Sequence, residues 1–520
     1  MSNSDYVLAI DNGTQSIRAL VFDSAGNEIA KSKVELEAYF SQHPGWAEQH
    51  PDYYWQQLGQ ACKALWTRGM VTPGQIKGVA LTTQRYTMIN LDEDKKPLRP
   101  AIVWMDQRKA EPEKPVGGVR GLLIKTIGLA SLIDNLRAKA RDNWIMQHQP
   151  DIWQKTRYYV NLSGYLTYQL TGEMRDACGA VAGYLPYDYR RQQWAGQHDL
   201  KWQLLAVRRP MLPELVQPGA LLGHITAEAA EHTGLPPGLP MIAASSDKAC
   251  EVLGAGGIAP HIGCLSFGTT ATISTTTSRY LETIPFIPPY TAAMPKRYNT
   301  EVMIYRGFWM VSWFKNELAQ VEQRKAKELG IEPEQLFDTL LNQVPPGSMG
   351  LMMQPYWSPG VRQPGPEGKG AFIGFGDVHK RAHIYRAILE GLAYELRSGK
   401  ELIEKRSGTP ITRLRVSGGG SQSDAAMQLT ANIFGMAAER PHTSEASGLG
   451  AAINCCVGLG IHNDYSEASA KMTRVGDVFE SDLPTMQLYD RLYNEVYKKI
   501  YKRMQPLYKS IRDITGYPKH

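Results

Sequence analysis

Asp11-Asn12-Gly13-Thr14-Gln15 stands between two apolar runs, residues 6–10 and 17–22. Ser266-Phe267-Gly268-Thr269-Thr270 stands in the same way between residues 262–265 and 271–274. Each reads as a strand, a tight Gly-Thr turn and a returning strand, because turn residues splitting two apolar runs mark a hairpin. Glycine admits positive φ, so successive N–H groups can converge into an anion-binding nest, and the threonine hydroxyl adds a donor. One such turn is an ordinary hairpin. Two of them, at Gly13 and Gly268 of a 520-residue chain, predict a duplicated domain whose turns face each other across a cleft. A phosphate chain is the natural occupant.

The length accommodates two to four domains, each able to bury a full core. Hydrophobic content of 43% and charged content of 21% are ordinary for a globular enzyme. The net charge of +6 arises from 57 basic and 51 acidic residues without a block of like charges, so nucleic acid is not an expected partner. Six cysteines (62, 178, 250, 264, 455 and 456) show no metal-binding spacing and read as reduced core thiols of a cytoplasmic protein. The N-terminus has no basic, apolar and cleavage-site sequence, and no run of 18 apolar residues occurs; neither secretion nor membrane spanning is expected.

A third strand is predicted at 28–36, and Pro51 opens an amphipathic helix to about Trp66, with Tyr54, Leu58, Cys62 and Leu65 at helical spacing. Residues 78–81 and 101–104 read as buried strands, and alternation of helices with strands argues an α/β layered architecture. The Gly-rich stretch 254–263 is the expected domain boundary, dividing the chain into 1–254 and 255–520. In the second half a strand at 414–417 leads into Gly418-Gly419-Gly420-Ser421 and a helix at about 423–434. Residues 448–458 form a helix dense in Gly and Ala, and 485–511 a charged helical tail.

Asp11 ends a strand beside a phosphate nest, a position suited to holding Mg²⁺ through water, although aspartate also caps turns unaided. Arg18 can point at phosphate or sit as a surface strand residue. Asp247, in Ser245-Ser246-Asp247, lies between an apolar run and a helix. It reads either as a helix cap or as a base at a strand–helix junction, and phosphoryl transfer to an alcohol needs such a carboxylate. The glycine triplet lets backbone approach a flat ligand, with a helix N-terminus following. No P-loop and no dinucleotide fingerprint is present. His379 and His383 have a metal-ligand spacing without an acidic partner and read as a solvated helix start. Gln84-Arg85-Tyr86 and Trp104-Met105-Asp106-Gln107-Arg108 follow predicted strands and can bind several hydroxyls. Trp104 taken alone reads as core rather than site.

Together these pieces resemble the FGGY carbohydrate kinases, within the actin-like (ribonuclease H-like) ATPase fold. Asp11-Asn12-Gly13-Thr14-Gln15-Ser16-Ile17-Arg18 resembles the family's D-x-G-T-x-x-x-R motif. Gly45-Trp46-Ala47-Glu48-Gln49-His50-Pro51, with Trp55, is similar to its G-W-x-E-x-x-P…W segment. Gly370–Phe375 followed by His383–Glu390 looks like its signature, and Gly418–Ser421 with Glu445–Ala452 resembles its adenosine region. The resemblance implies two actin-like domains flanking a cleft in which ATP phosphorylates a sugar or polyol. It gives Asp247 the place of the catalytic base and puts Asp11 near Mg²⁺. Thr14, Gln15, Arg18, Gly268 and Thr269 fall on the phosphates, and Gly419, Gly420 and Ser421 at the adenosine. Gln84, Arg85, Trp104 and Asp106 fall on the acceptor side.

The acceptor stays open. Glycerol kinases follow the Gln-Arg pair with Glu, and xylulokinases carry Met-His after their Gln; this chain has Arg85-Tyr86. Trp104-x-Asp106-x-Arg108 resembles the ketose-kinase pattern more than the glycerol one. A pentulose such as xylulose or ribulose is the first expectation. Glycerol, erythritol-like polyols, aldonates and autoinducer-type dihydroxyketones are the alternatives, and an actin-like nucleotide switch is the non-enzyme reading. For assembly, a homodimer is kept in view without a sequence mark for it.

Overall fold

The computed structural model describes residues 5–111, 126, 130–360 and 364–517. Its frame is two sheets laid out on one plan. The first contains β1 (Tyr6–Asn12), β2 (Ser16–Phe22), β3 (Glu28–Glu35), β4 (Ile76–Thr83), β5 (Leu221–His224) and β6 (Pro240–Ser246), in the order β3-β2-β1-β4-β6-β5. The second contains β7 (Ile262–Phe267), β8 (Ala271–Thr277), β9 (Tyr290–Thr291), β10 (Tyr298–Ile304), β11 (Arg413–Ser417), β12 (Ala438–Pro441) and β13 (Val475–Phe479). Its order is β9-β10-β8-β7-β11-β12-β13. In each, an antiparallel three-strand meander continues into two parallel strands and ends on an antiparallel edge. The predicted duplication is therefore present as topology, and the chain has the two-domain actin-like architecture.

The central strands are buried on both faces, as a parallel sheet covered by helices requires. Leu8 and Ile10 of β1 pack with Tyr54, Leu58 and Leu65 of α1 (Pro51–Thr67). Val7 and Ala9 face the other way, onto Leu449, Ala452 and Cys456. Those residues belong to a helix of the second half, so the two halves share a core. The partners are α2 (Asp247–Gly254), which follows β6, and α5 (Ala446–Gly458), which follows β12. They cross backbone to backbone. A Cβ added at Gly254 would overlap the Ala446 carbonyl oxygen, and one added at Gly450 would overlap that of Cys250. The Gly/Ala composition of residues 448–458 serves this contact.

The halves differ in what they insert. Between β4 and β6 the first half carries residues 84–239, whose short strands Ala101–Ile102, Met88–Leu91 and Tyr158–Asn161 form a small sheet with Glu48–Gln49 from before α1. Between β11 and β12 the second carries little beyond α4 (Asp424–Phe434), and its long α3 (Arg381–Ser407) precedes β11. The strand expected at 101–104 spans only Ala101–Ile102, so Trp104 falls in the following turn. The tail helix runs from Leu483 to Thr515 with a π-helical turn at Tyr493–Tyr497. Among the described residues no helix is long and apolar enough to cross a membrane.

Candidate active site

Three adjacent parallel strands, β1, β4 and β6, end side by side, and register brings Asp11 beside Thr82 and Ser246 beside Thr83. The chain leaves these ends as Asp11-Asn12-Gly13, Gln84-Arg85-Tyr86 and Asp247. Carboxyl ends of parallel strands are where open α/β sheets hold ligands.

Asp247 is the first residue of α2, and its Oδ1 accepts only from the Lys248 N–H, at 2.7 Å. Ser246, the residue before the helix, makes no side-chain cap bond. Asp247 is thus the first helical residue and not the N-cap, and one carboxylate oxygen takes a first-turn N–H of its own helix. Burial pushes the Asp247 carboxyl above its ordinary range, while Lys248 and Arg85 pull it down. Its second oxygen is left for another partner.

Asp11 is 3% exposed, and burial raises its carboxyl to about 7; Arg18 opposes the rise, and the Asp247 and Glu445 charges add to it. Arg18, expected on phosphate, instead bridges Asp11 (3.1 Å) and Glu445 (3.5 Å). Lys31 holds the other Glu445 oxygen at 2.9 Å. Among the described residues no three His, Cys, Asp or Glu converge as a metal set, and His379 and His383 only meet ring edge to ring face. A divalent cation would fit here as Mg²⁺ usually does, through a carboxylate, water and phosphate oxygens. The Asp11 and Asp247 carboxylates repel each other, which helps to raise Asp11.

Trp104 and Gln84 are tied to the first hairpin. Trp104 is 36% exposed, not core, and its Nε1 donates to Thr14 Oγ1 at 2.9 Å. The Thr14 hydroxyl donates to Gln84 Oε1 at 3.2 Å, and Gln84 Nε2 donates to the Tyr54 hydroxyl at 3.3 Å. Arg85 Nε donates to Ser246 Oγ at 3.2 Å, and its guanidinium lies 4.1 Å over the Tyr290 ring. Tyr86 adopts φ +54°, a left-handed conformation costly for an aromatic residue. That turn sends its ring into the inserted segment against Tyr184 and leaves Arg85 in the cleft.

Asp106 departs from the expectation that it contacts an acceptor. Its side chain is 0% exposed and accepts from Arg108 Nε, Arg108 Nη2 and the Ala47 N–H. Arg108 in turn lies 3.9 Å over Trp46 and pairs with Glu48. The W-x-D-x-R pattern is a buried clamp holding residues 45–48 beneath the Trp104 turn.

Across the cleft, the Gly268 and Thr269 carbonyls accept from Phe308 and Gly307 N–H groups at 3.0 and 2.9 Å. Among the described residues, the N–H groups of Gly268, Thr269 and Thr270, like those of Thr14 and Gln15, have no hydrogen-bond acceptor. Free N–H donors at such turns fit phosphate oxygens. Of the glycine triplet, Gly418 needs its φ of +86° and lies against Phe267 backbone, and Gly420 lies against the Phe308 ring. Gly419 opens on free space. Ser421, expected at the adenosine, is 2% exposed and closes the loop by donating to the Gly418 carbonyl at 2.7 Å. Phe267 stacks on Phe308 at 4.4 Å and braces both loops.

Two residues escaped the sequence reading. Lys248 Nζ donates to Ser266 Oγ (2.6 Å) and Glu251 (2.7 Å), and Glu251 accepts from Ser417 Oγ (2.7 Å). This links the helix bearing Asp247 to the strand ends preceding Gly268 and Gly418. Glu301, from β10, receives Arg85 Nη1 at 3.4 Å. Its only sequence signal is that it is the sole charge in its strand.

Comparison with known proteins agrees with this geometry. The model of the N-terminal domain of the FGGY family of carbohydrate kinases matches residues 6–254, and that of the C-terminal domain matches 263–459. The chain is 30% identical over 489 residues to the uncharacterized sugar kinase YgcE of Escherichia coli (strain K12), covering 94% of this chain and 91% of that one. It is 28% identical to the xylulose kinase of Lactococcus lactis subsp. lactis (strain IL1403), covering 90% of each. The structure of a gluconate kinase from Lactobacillus acidophilus superposes with a TM-score of 0.78 at 20% identity, covering 99% of both chains.

Proposed function

From the chain's membership of the FGGY family of carbohydrate kinases, which makes it a phosphotransferase with an alcohol acceptor, we propose that it phosphorylates a small ketose from ATP. The acceptor we favour is a pentulose such as xylulose or ribulose. The observation that carries the mechanism is Asp247: a carboxylate with one hydrogen bond, raised by burial, beside Arg85 at the ends of three parallel strands. It accepts the proton of the acceptor hydroxyl as that oxygen bonds to the γ-phosphorus and the bond to ADP breaks. Arg85 and Trp104 bind the acceptor, and Gln84 holds Thr14 and Trp104 in place. The free N–H groups of Thr14, Gln15, Gly268 and Thr269 take phosphate oxygens, and Gly419 leaves space for the adenosine. Asp11 would be the residue to hold Mg²⁺, which would supply neutralisation of phosphate charge. Arg18 keeps Asp11 in position.

A pentulose is supported by the xylulose kinase relative and by the W-x-D-x-R pattern at Trp104–Arg108. The Gln84-Arg85 pair favours a second reading, glycerol or another polyol. The nucleotide-switch alternative falls with family membership. We place the enzyme in the cytoplasm because all six cysteines are free and buried. ADP release measured over xylulose, ribulose, glycerol, erythritol and gluconate tests the assignment. Highest kcat/KM on a pentulose is expected, and a polyol or gluconate in first place would overturn it.

A further inference from the structure

Glu301 stands on the second half, 5% exposed, and reaches across the cleft to a residue of the first. Its Oε1 accepts from Arg85 Nη1 and its Oε2 from Ser274 Oγ, both at 3.4 Å. Arg85 is held on its other sides by Ser246 Oγ and by the Tyr290 ring. One guanidinium nitrogen, Nη2, is buried without a partner. The neighbouring cation Lys248 is committed to Glu251. The charge facing an acceptor is therefore one neutralised arginine together with the carboxylates of Glu301 and Asp247.

Such a pocket distinguishes neutral from acidic acceptors. A hydroxyl both accepts and donates, so it can satisfy Arg85 Nη2 while donating to Glu301; an ionised carboxylate only accepts. A sugar acid also adds a negative charge beside Glu301 and Asp247, and like-charge juxtaposition is strongly unfavourable in a desolvated site. We propose that Glu301 is a specificity-determining residue that neutralises Arg85 from the opposite half, so that the kinase takes neutral polyhydroxy acceptors and rejects sugar acids. The inference rests on the reading of Arg85 as an acceptor contact. It separates this chain from an aldonate kinase such as the gluconate kinase that shares its fold.

The test compares wild type with Glu301→Gln, which keeps shape and removes the charge. Probes are xylulose, ribulose and ribitol against xylonate, ribonate and gluconate. Binding is measured by calorimetry without ATP, and kcat/KM by ADP release. Wild type is expected to favour the neutral members by at least about tenfold, and Glu301→Gln to narrow that ratio by about tenfold or more. Preference of the wild type for any of the acids overturns the proposal without recourse to a variant. So does an unchanged ratio in a Glu301→Gln protein that melts as wild type does. Glu301→Asp, which keeps the charge, is expected to retain the neutral preference, and loss of that preference would also overturn the proposal. Selective binding with no ADP release on any probe would overturn the kinase reading alone. ADP release on neutral sugars with an unchanged ratio in the variant would overturn this inference alone.

Discussion

In the first half the hairpin turn is tied and the helix start is open; in the second the hairpin turn is open and the helix start is tied. Thr14 is held by Trp104 and Gln84, whereas Thr269 is exposed and held only through its backbone carbonyl. Asp247 at the start of α2 accepts one local hydrogen bond, whereas Glu445 at the start of α5 is neutralised by Arg18 and Lys31. The duplicated scaffold thus offers each device twice and leaves each free once. The free helix start is the one beside Arg85, and the free hairpin is the one beside the glycine loop.

The sharpest way to break this comparison is at the two helix starts. Asp247→Asn should fold, bind nucleotide and lose about 10²–10⁴ in kcat, the usual cost of removing a general base. Glu445→Gln should keep turnover within about tenfold of wild type and lower the melting temperature instead, as loss of a partly buried pair does. Paired kcat and thermal measurements decide, and equal losses of rate would erase the asymmetry. Next comes the Asp106–Arg108 clamp of the first half. Asp106→Ala removes the bidentate partner of Arg108, which keeps Glu48, so unfolding in urea should show a loss of about 1.5–3 kcal/mol.

The helix crossing common to both halves should respond less. Gly450→Ala forces a Cβ onto the Cys250 carbonyl and should cost about 1–3 kcal/mol in denaturant unfolding. Gly196→Ala, whose Cβ would meet open space, serves as the control and should stay within about 0.5 kcal/mol of wild type. The smallest effect sharpens the comparison of the turns. Thr14→Val breaks the bridge to Trp104 and Gln84 and should raise the KM of both acceptor and ATP. Thr269→Val should raise that of ATP alone. Each change is expected to be a few-fold, since one hydroxyl hydrogen bond contributes about 0.5–1.5 kcal/mol. Initial-rate kinetics with each substrate varied in turn distinguish them.

The duplication was legible because its signal is local: turn residues between apolar runs report a hairpin wherever they occur. Asp247 was legible for the same reason, standing at a strand–helix junction. What escaped was set mostly by partners distant in the chain. Asp106 takes its near neighbour Arg108 but also the Ala47 N–H, 59 positions away, and Arg18 reads as a phosphate ligand until Glu445 is placed beside it. Glu301 lies 216 positions from the arginine it meets. Trp104 reads as core from hydrophobicity alone, and only the short strand before it shows that its indole N–H reaches the first hairpin.

The crossing of α2 and α5 would act, in mechanical terms, as a pivot if the halves rotate. Gly254 and Gly450 put main chain against main chain, so no side-chain rotamer can slacken the joint. Groups close to that point keep their spacing when the halves rotate, while groups far from it sweep long arcs. The Lys248–Ser266 bond starts from the first turn of α2, on the crossing helix itself, and would survive such a rotation. The Arg85–Glu301 pair joins opposite lips of the cleft and would part early. Acceptor entry and the assembly of the charge pattern that screens it would then be one and the same movement.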